Sequence, residues 1–257
     1  MPRTIASIPR QAIKPHTKSL RYVISSTATT LGSGDTLNTT LPWCIDFWMD
    51  MSDGKDVIGA AGVLQLRTDQ GVPFVIFYQK SSNASMIYGA NSLFVARRGG
   101  TGMWNTTNTG WHHHCLTYDG SGITNTNAYL YFIDGIVTTS TANATPSATS
   151  NLNTIGRLGA TFPGIFYMAE LRVYNGAVGV TASMVQDMAM SNIIPTGPTL
   201  IRNYLHDEGS GTVLTDSTGN QNGTIGTATW SGNIPTNSRT VASTARTQIS
   251  ISRAVAA

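Results

Sequence analysis

The stretch Gly110–Gly135, GWHHHCLTYDGSGITNTNAYLYFIDG, decides the fold. Trp111–Tyr118 is dense in aromatic and bulky residues and closes on Asp119-Gly120-Ser121-Gly122, a turn cluster. Ala128–Ile133 is a second β-rich run. It ends at Asp134-Gly135, a pair suited to a tight hairpin turn because glycine accepts positive φ. A third run, Ile136–Thr139, follows at once, so the pattern predicts an antiparallel meander with a long first loop. Outward from it, strands are predicted at about Leu20–Ile24, Trp43–Met49, Val63–Arg67, Pro73–Gln79, Ser92–Arg97, Leu152–Ile155 and Ile165–Tyr174. Gly-, Ser- and Asn-rich turns separate them at sandwich-like intervals. One helix is predicted, Thr181–Met190: Thr181 caps it, and Val185, Met188 and Ala189 share a face.

Composition agrees with an all-β chain. Only 11% of the 257 residues are charged, and Ser, Thr, Asn and Gly abound, which disfavours a helical bundle. The length fits one large sandwich. No apolar run approaches a membrane span, and the N-terminus lacks the apolar core of a secretory signal. Cys44 and Cys115 both fall in predicted strands. Buried free thiols are the preferred reading, and a disulfide requires the two strands to be neighbours, which sequence leaves open.

The motif W-x-H-x-x-x-T-Y-D-G-S followed by Y-L-Y-F-I-D-G resembles the central hairpin of laminin-G-like domains, of the concanavalin A-like jelly-roll superfamily. Further pieces resemble the family in its own order. They are Trp43–Met49 (WCIDFWM), Ile155-Gly156-Arg157 with Gly164–Asn175 (GIFYMAELRVYN), and Tyr204–Asn220 (YLHDEGSGTVLTDSTGN), the last common in bacterial and phage members. The resemblance spans roughly Ser19–Trp230. It implies an all-β, two-sheet antiparallel jelly-roll sandwich with one short helix after the Arg-Val-Tyr strand, but no particular activity.

Catalytic readings fare poorly. Jelly-roll relatives that hydrolyse β-glucans draw paired carboxylates from an E-x-D-x-E strand motif. This chain has two glutamates, Glu170 and Glu208, and neither lies in such a motif. His112-His113-His114 suggests a metal tract, yet strand neighbours alternate faces, so only His112 and His114 share one. There is no G-x-S-x-G elbow and no phosphate-binding loop. The chain is therefore expected to be no enzyme and to need no cofactor. Calcium is the one ion weighed: Asp207, Asp216 and Asn220 offer oxygens in a segment where the resemblance allows Ca²⁺, against an ordinary Asx-turn reading that is preferred. For a glycan, Trp104 sits in the Gly/Thr/Asn-rich loop Ala96–Gly110 with Arg97 and Arg98 just upstream; packing of Trp104 is the competing role.

The two ends differ from the middle. Met1–Arg21 carries Arg3, Arg10, Lys14, Lys18 and Arg21, three prolines and no acid, and Pro235–Ala257 carries Arg239, Arg246 and Arg253 and no acid. They hold eight of the 16 Lys and Arg and none of the 13 acids, leaving a mildly acidic middle. This divides the chain into a basic N-terminal arm at 1–18, a jelly-roll domain at 19–234 and a C-terminal arm at 235–257. Arms of this kind gain order by docking on their own body or on neighbouring subunits; the second is preferred, with nucleic acid not indicated. The expectation is a structural virion protein, a phage capsid-decorating or fibre/tail-associated component. It would contact a major capsid protein and copies of itself. The alternative is a lectin-like module for cell-surface glycan.

Overall fold

The computed structural model describes residues 16–22, 29–31, 36–37, 40–50, 60–68, 73–79, 84–88, 94–98, 110–121, 128–137, 150–155 and 166–235. In chain order the strands begin with β1 Ser19–Tyr22, β2 Thr29–Thr30, β3 Thr36–Leu37 and β4 Trp43–Asp50. Next come β5 Ala60–Thr68, β6 Pro73–Gln79, β7 Ala84–Tyr88 and β8 Phe94–Arg98. The meander follows as β9 Trp111–Tyr118, β10 Tyr129–Ile133 and β11 Ile136–Val137, then β12 Ser150–Ile155 and β13 Phe166–Asn175. After helix α1, Ala182–Ser191, the chain adds β14 Leu200–Tyr204, β15 Val213–Leu214, β16 Gly223–Thr224 and β17 Thr229–Ser231.

Among the described residues all pairings are antiparallel and make two sheets. The first runs β11-β10-β9-β4-β13-β1-β17, with β14 also on β13. The second runs β15-β16-β2-β12-β5-β6-β7-β8, with β3 also on β12. The predicted meander and the all-β sandwich are both found. Strand β7 and the short C-terminal strands were not foreseen, and β8 ends at Arg98 rather than Arg97.

The core lies where the first sheet turns its inner face to the second. Leu20, Ile45, Phe47, Leu116, Tyr131, Phe166, Met168, Leu171 and Val173 meet there with Ile155 of β12. In β13 the inward positions run Phe166, Met168, then Leu171, Val173, a break in the two-residue period. A bulge between Met168 and Glu170 in the pairing with β4 absorbs the extra residue. It restores the apolar face and sends Glu170, Arg172 and Tyr174 to the outer side.

Helix α1 covers part of that outer side. Thr181 is its N-cap in extended backbone, its hydroxyl accepting from the Met184 N–H at 3.4 Å. Val185 and Met188 pack on Cys44, Cys115, Phe132 and Tyr174. The helix ends at Asn192, left-handed at φ 49°, whose N–H donates to the Met188 carbonyl. The observed helix, one residue offset from the prediction, keeps the predicted cap and face.

Candidate functional site

Beside the helix, the outer face of the first sheet buries a row of charged side chains. Asp46 on β4 stands directly opposite Arg172 on β13. Arg172 Nε donates to Asp46 Oδ1 at 3.0 Å and Nη2 to Oδ2 at 2.6 Å, a bidentate pair between groups 1% exposed. His113 Nε2 lies 3.0 Å from the same Oδ2. Glu170 Oε1 is 3.8 Å from Arg172 Nε, and Arg172 Nη1 donates to the Asn192 carbonyl at the negative end of α1.

The chain's N-terminal side completes the row. His16 Nε2 is 3.4 Å from Glu170 Oε2 and its Nδ1 is 3.9 Å from Asp207 Oδ1. Neither nitrogen is in hydrogen-bonding geometry, so the attraction is that of ion pairs. Burial by itself lowers the His16 pKa, but the Asp207 and Glu170 carboxylates outweigh it and raise it to about 9. Burial likewise opposes the Glu170 anion, yet Arg172 and His16 hold its pKa at about 2. His206 is buried at φ 60°, with Nδ1 on the Tyr204 carbonyl, and burial pulls its pKa down to about 4.

The residues proposed from sequence fall in several places. Asp207 Oδ1 accepts from the backbone N–H groups of Thr17 and Lys18 at 3.0 and 3.4 Å. Asp216 Oδ1 accepts from the N–H groups of Asn203 and Thr218 and Oδ2 from that of Gln221; the Thr218 hydroxyl binds both oxygens, with Arg202 Nη1 3.5 Å from Oδ2. Asn220 Nδ2 donates to the Ile201 carbonyl and to Thr218 Oγ. Asp216 and Asn220 thus share one turn through Thr218, while Asp207 serves the N-terminal side. Among the described residues no cluster of three or more His, Cys, Asp or Glu is arranged to hold a metal.

The three adjacent histidines separate: His112 pairs with Asp134 at 2.7 Å, His113 with Asp46, and His114 with the Tyr131 hydroxyl at 2.7 Å while stacking on Phe47. Glu208 accepts from the Thr215 N–H. Arg97 and Arg98 are the last two positions of β8, opposite Met86 and Ser85 at the edge of the second sheet. Trp104 lies outside the described residues, as do Arg3, Arg10, Lys14, Arg239, Arg246 and Arg253.

Lys18 stands at the boundary drawn from sequence. Residues 16–18, assigned there to an arm docked on neighbouring subunits or on its own body, lie on the body, where Asp207 accepts from Thr17 and Lys18 and Glu170 faces His16. The stem of Lys18 runs over Gly209, where an added Cβ would stand 3.3 Å from Lys18 Cγ. At the other end Asn233 ties down the chain, accepting from Trp111 Nε1 and donating to Asp50, both at 3.0 Å. The buried row itself escaped the sequence reading. Its signal was the charges Asp46, Glu170 and Arg172 inside otherwise apolar strands.

Comparison with known proteins gives this architecture a lineage. Residues 25–182 match the family described as the concanavalin A-like lectin/glucanases superfamily, in its laminin-G branch. The C-terminal segment at 204–220 lies beyond that match. A search among curated proteins finds no significant match. Among solved structures the chain is similar to one from Bacteroides ovatus ATCC 8483 described as a "putative carbohydrate binding protein". The identity is 18% and the TM-score 0.57, over 85% of this chain and 60% of that one. It is also similar to the heptameric SAP-like pentraxin of Limulus polyphemus, at 12% identity and TM-score 0.52 over 74% and 93%. This chain therefore spans about 60% of the length of the Bacteroides protein. At such identities the similarity concerns the fold. With its central meander, its two antiparallel sheets and a family match over more than half its length, this chain belongs to the concanavalin A-like lectin/glucanases superfamily.

Proposed function

We propose that this chain is a non-enzymatic, lectin-like module that binds carbohydrate at the rim where β8 leads into β9. The observation that carries it is the jelly roll shared over most of the chain with the protein described as carbohydrate-binding. Chemistry adds to this. Glu170 is locked between Arg172 and His16, and Glu208 holds a backbone N–H, so neither glutamate stands ready as a general acid or nucleophile. Binding without turnover is what such a body supports.

The rim has suitable parts. β8 is the terminal strand of the second sheet and ends at Arg97 and Arg98, and β9 begins at Trp111, anchored through Asn233. The loop between them contains Trp104 and a run of Thr, Asn and Gly, an aromatic face with hydroxyl and amide donors. Calcium at Asp207 and Asp216 forms no part of this reading, since both carboxylates already serve backbone donors. The virion-component reading gains no support of its own from the family or the fold. The described end of its N-terminal arm is bound to its own body.

A glycan array with wild type, Trp104→Ala and Arg97→Ala tests the proposal. Wild type should bind a defined set of glycans, and Trp104→Ala should weaken that binding at least tenfold with an unchanged far-UV spectrum. Absence of binding by wild type across polysaccharides and terminal sugars removes the lectin reading.

A further inference from the structure

Cys44 and Cys115 lie on β4 and β9, which are hydrogen-bonded neighbours. The register sets Cys44 opposite Thr117 and Cys115 opposite Asp46, so the two stand diagonally, two positions apart on one face. Their Sγ atoms are 3.2 Å apart. A disulfide needs about 2.05 Å, so closure requires the two sulfurs to approach by roughly a further 1.2 Å. Both are fully buried beneath α1, against Phe132, Tyr174, Val185 and Met188. The chain has two cysteines in all, so one intramolecular bridge is possible.

We infer that Cys44 and Cys115 form a covalent clasp across β4 and β9, closed when the chain folds with a disulfide oxidant and open when it folds under reduction. In closing, the two thiols give up two protons and two electrons to the oxidant; oxidised glutathione leaves as two molecules of its thiol. Burial pushes both thiols up, Cys115 well above its ordinary value, so the folded chain holds almost no thiolate for exchange. The bond is therefore made during folding and is afterwards shielded from reductants. The bridged residues are 71 apart, and the segment between them contains β5 to β8 and the rim loop. The clasp closes that whole excursion at its base.

The test is refolding of the full chain from guanidinium in a glutathione redox buffer. Denaturation, alkylation with iodoacetamide and intact-mass measurement follow. The expected product takes up no alkyl group, weighs two hydrogens less than the dithiol and yields one peptide joining residues 44 and 115. Its Tm should exceed that of the reduced chain by roughly 5–15 °C. Cys44→Ala should abolish that difference and leave Cys115 alkylatable. Two alkylated thiols, glutathione adducts or disulfide-linked dimers in the folded product overturn the inference. Should refolding yield no native chain, the same mass measurement on protein exported to an oxidising bacterial periplasm decides it: two free thiols there overturn it equally.

Discussion

Asp46 and Arg172 show what one buried ion pair demands of its surroundings. Their strands are neighbours and the residues face each other in register, so the guanidinium fork meets the carboxylate without strain. Both charges are out of water, and each is tolerable only while the other stays. Arg172→Met leaves Asp46 and Glu170 as two buried carboxylates with one fewer cation between them, so it should cost about 3–5 kcal/mol. Asp46→Asn leaves the Arg172 charge leaning on Glu170 alone and should cost a similar amount. The double variant should lose much less than the sum, because it removes both the attraction and one of the stranded charges. Guanidinium denaturation of the three variants checks this, and strictly additive losses would show that the pair does not act as a unit.

The meander and the helix depend on each other. Asp134 and Gly135 take φ of 50° and 77°, the left-handed turn that matches the twist of β10 and β11. A Cβ on Gly135 would stand 3.1 Å from Gln186 Cα, so the backbone of α1 rests on this turn. Gly135→Ala therefore meets both a strained φ and helix backbone, and should cost about 1–3 kcal/mol. Thr181→Ala should cost about 1 kcal/mol through the lost cap alone. Thermal unfolding ranks the two, and a Gly135→Ala loss no larger than that of Thr181→Ala would mean the helix yields easily. Elements of this kind were legible in the sequence because their signals are local: the Asp-Gly turn, the Thr cap, the dense runs of β4, β6, β9 and β13. Strands β15, β16 and β17 are only two or three residues long, so no periodicity announces them. The charged row was illegible for another reason. Asp46 and Arg172 are 126 residues apart, and the bulge at Ala169 sets which β13 residues face outward, so the pairing exists only once the register does. The proposed rim shares this limit: Trp104 was chosen by composition, and its loop lies outside the described residues.

Across the whole molecule, the buried histidines should give stability a maximum near pH 6.5. His206 and His114 are held neutral, with burial lowering their pKa to about 4 and about 3. Below pH 6.5 the unfolded chain takes up protons that these two refuse in the fold, so stability falls with acid, by about 1.4 kcal/mol per pH unit for each. His16 has the opposite sign. Its folded pKa is raised to about 9, so its contribution is complete below pH 6.5 and is lost as the pH rises towards 9. Glu170, lowered to about 2, adds its own loss only below about pH 4.5. Acid and alkaline limbs therefore have separate owners. Denaturation midpoints measured from pH 5 to 7.5 should peak near 6.5, below the range where cysteine and lysine titration intrudes. His16→Ala should flatten the decline between 6.5 and 7.5, while His206→Gln should remove about half of the acid limb and leave the part that His114 carries. An alkaline decline that survives His16→Ala would show that the N-terminal residues 16–18 are not held by this ion pair, and the row on the outer face would then end at Glu170.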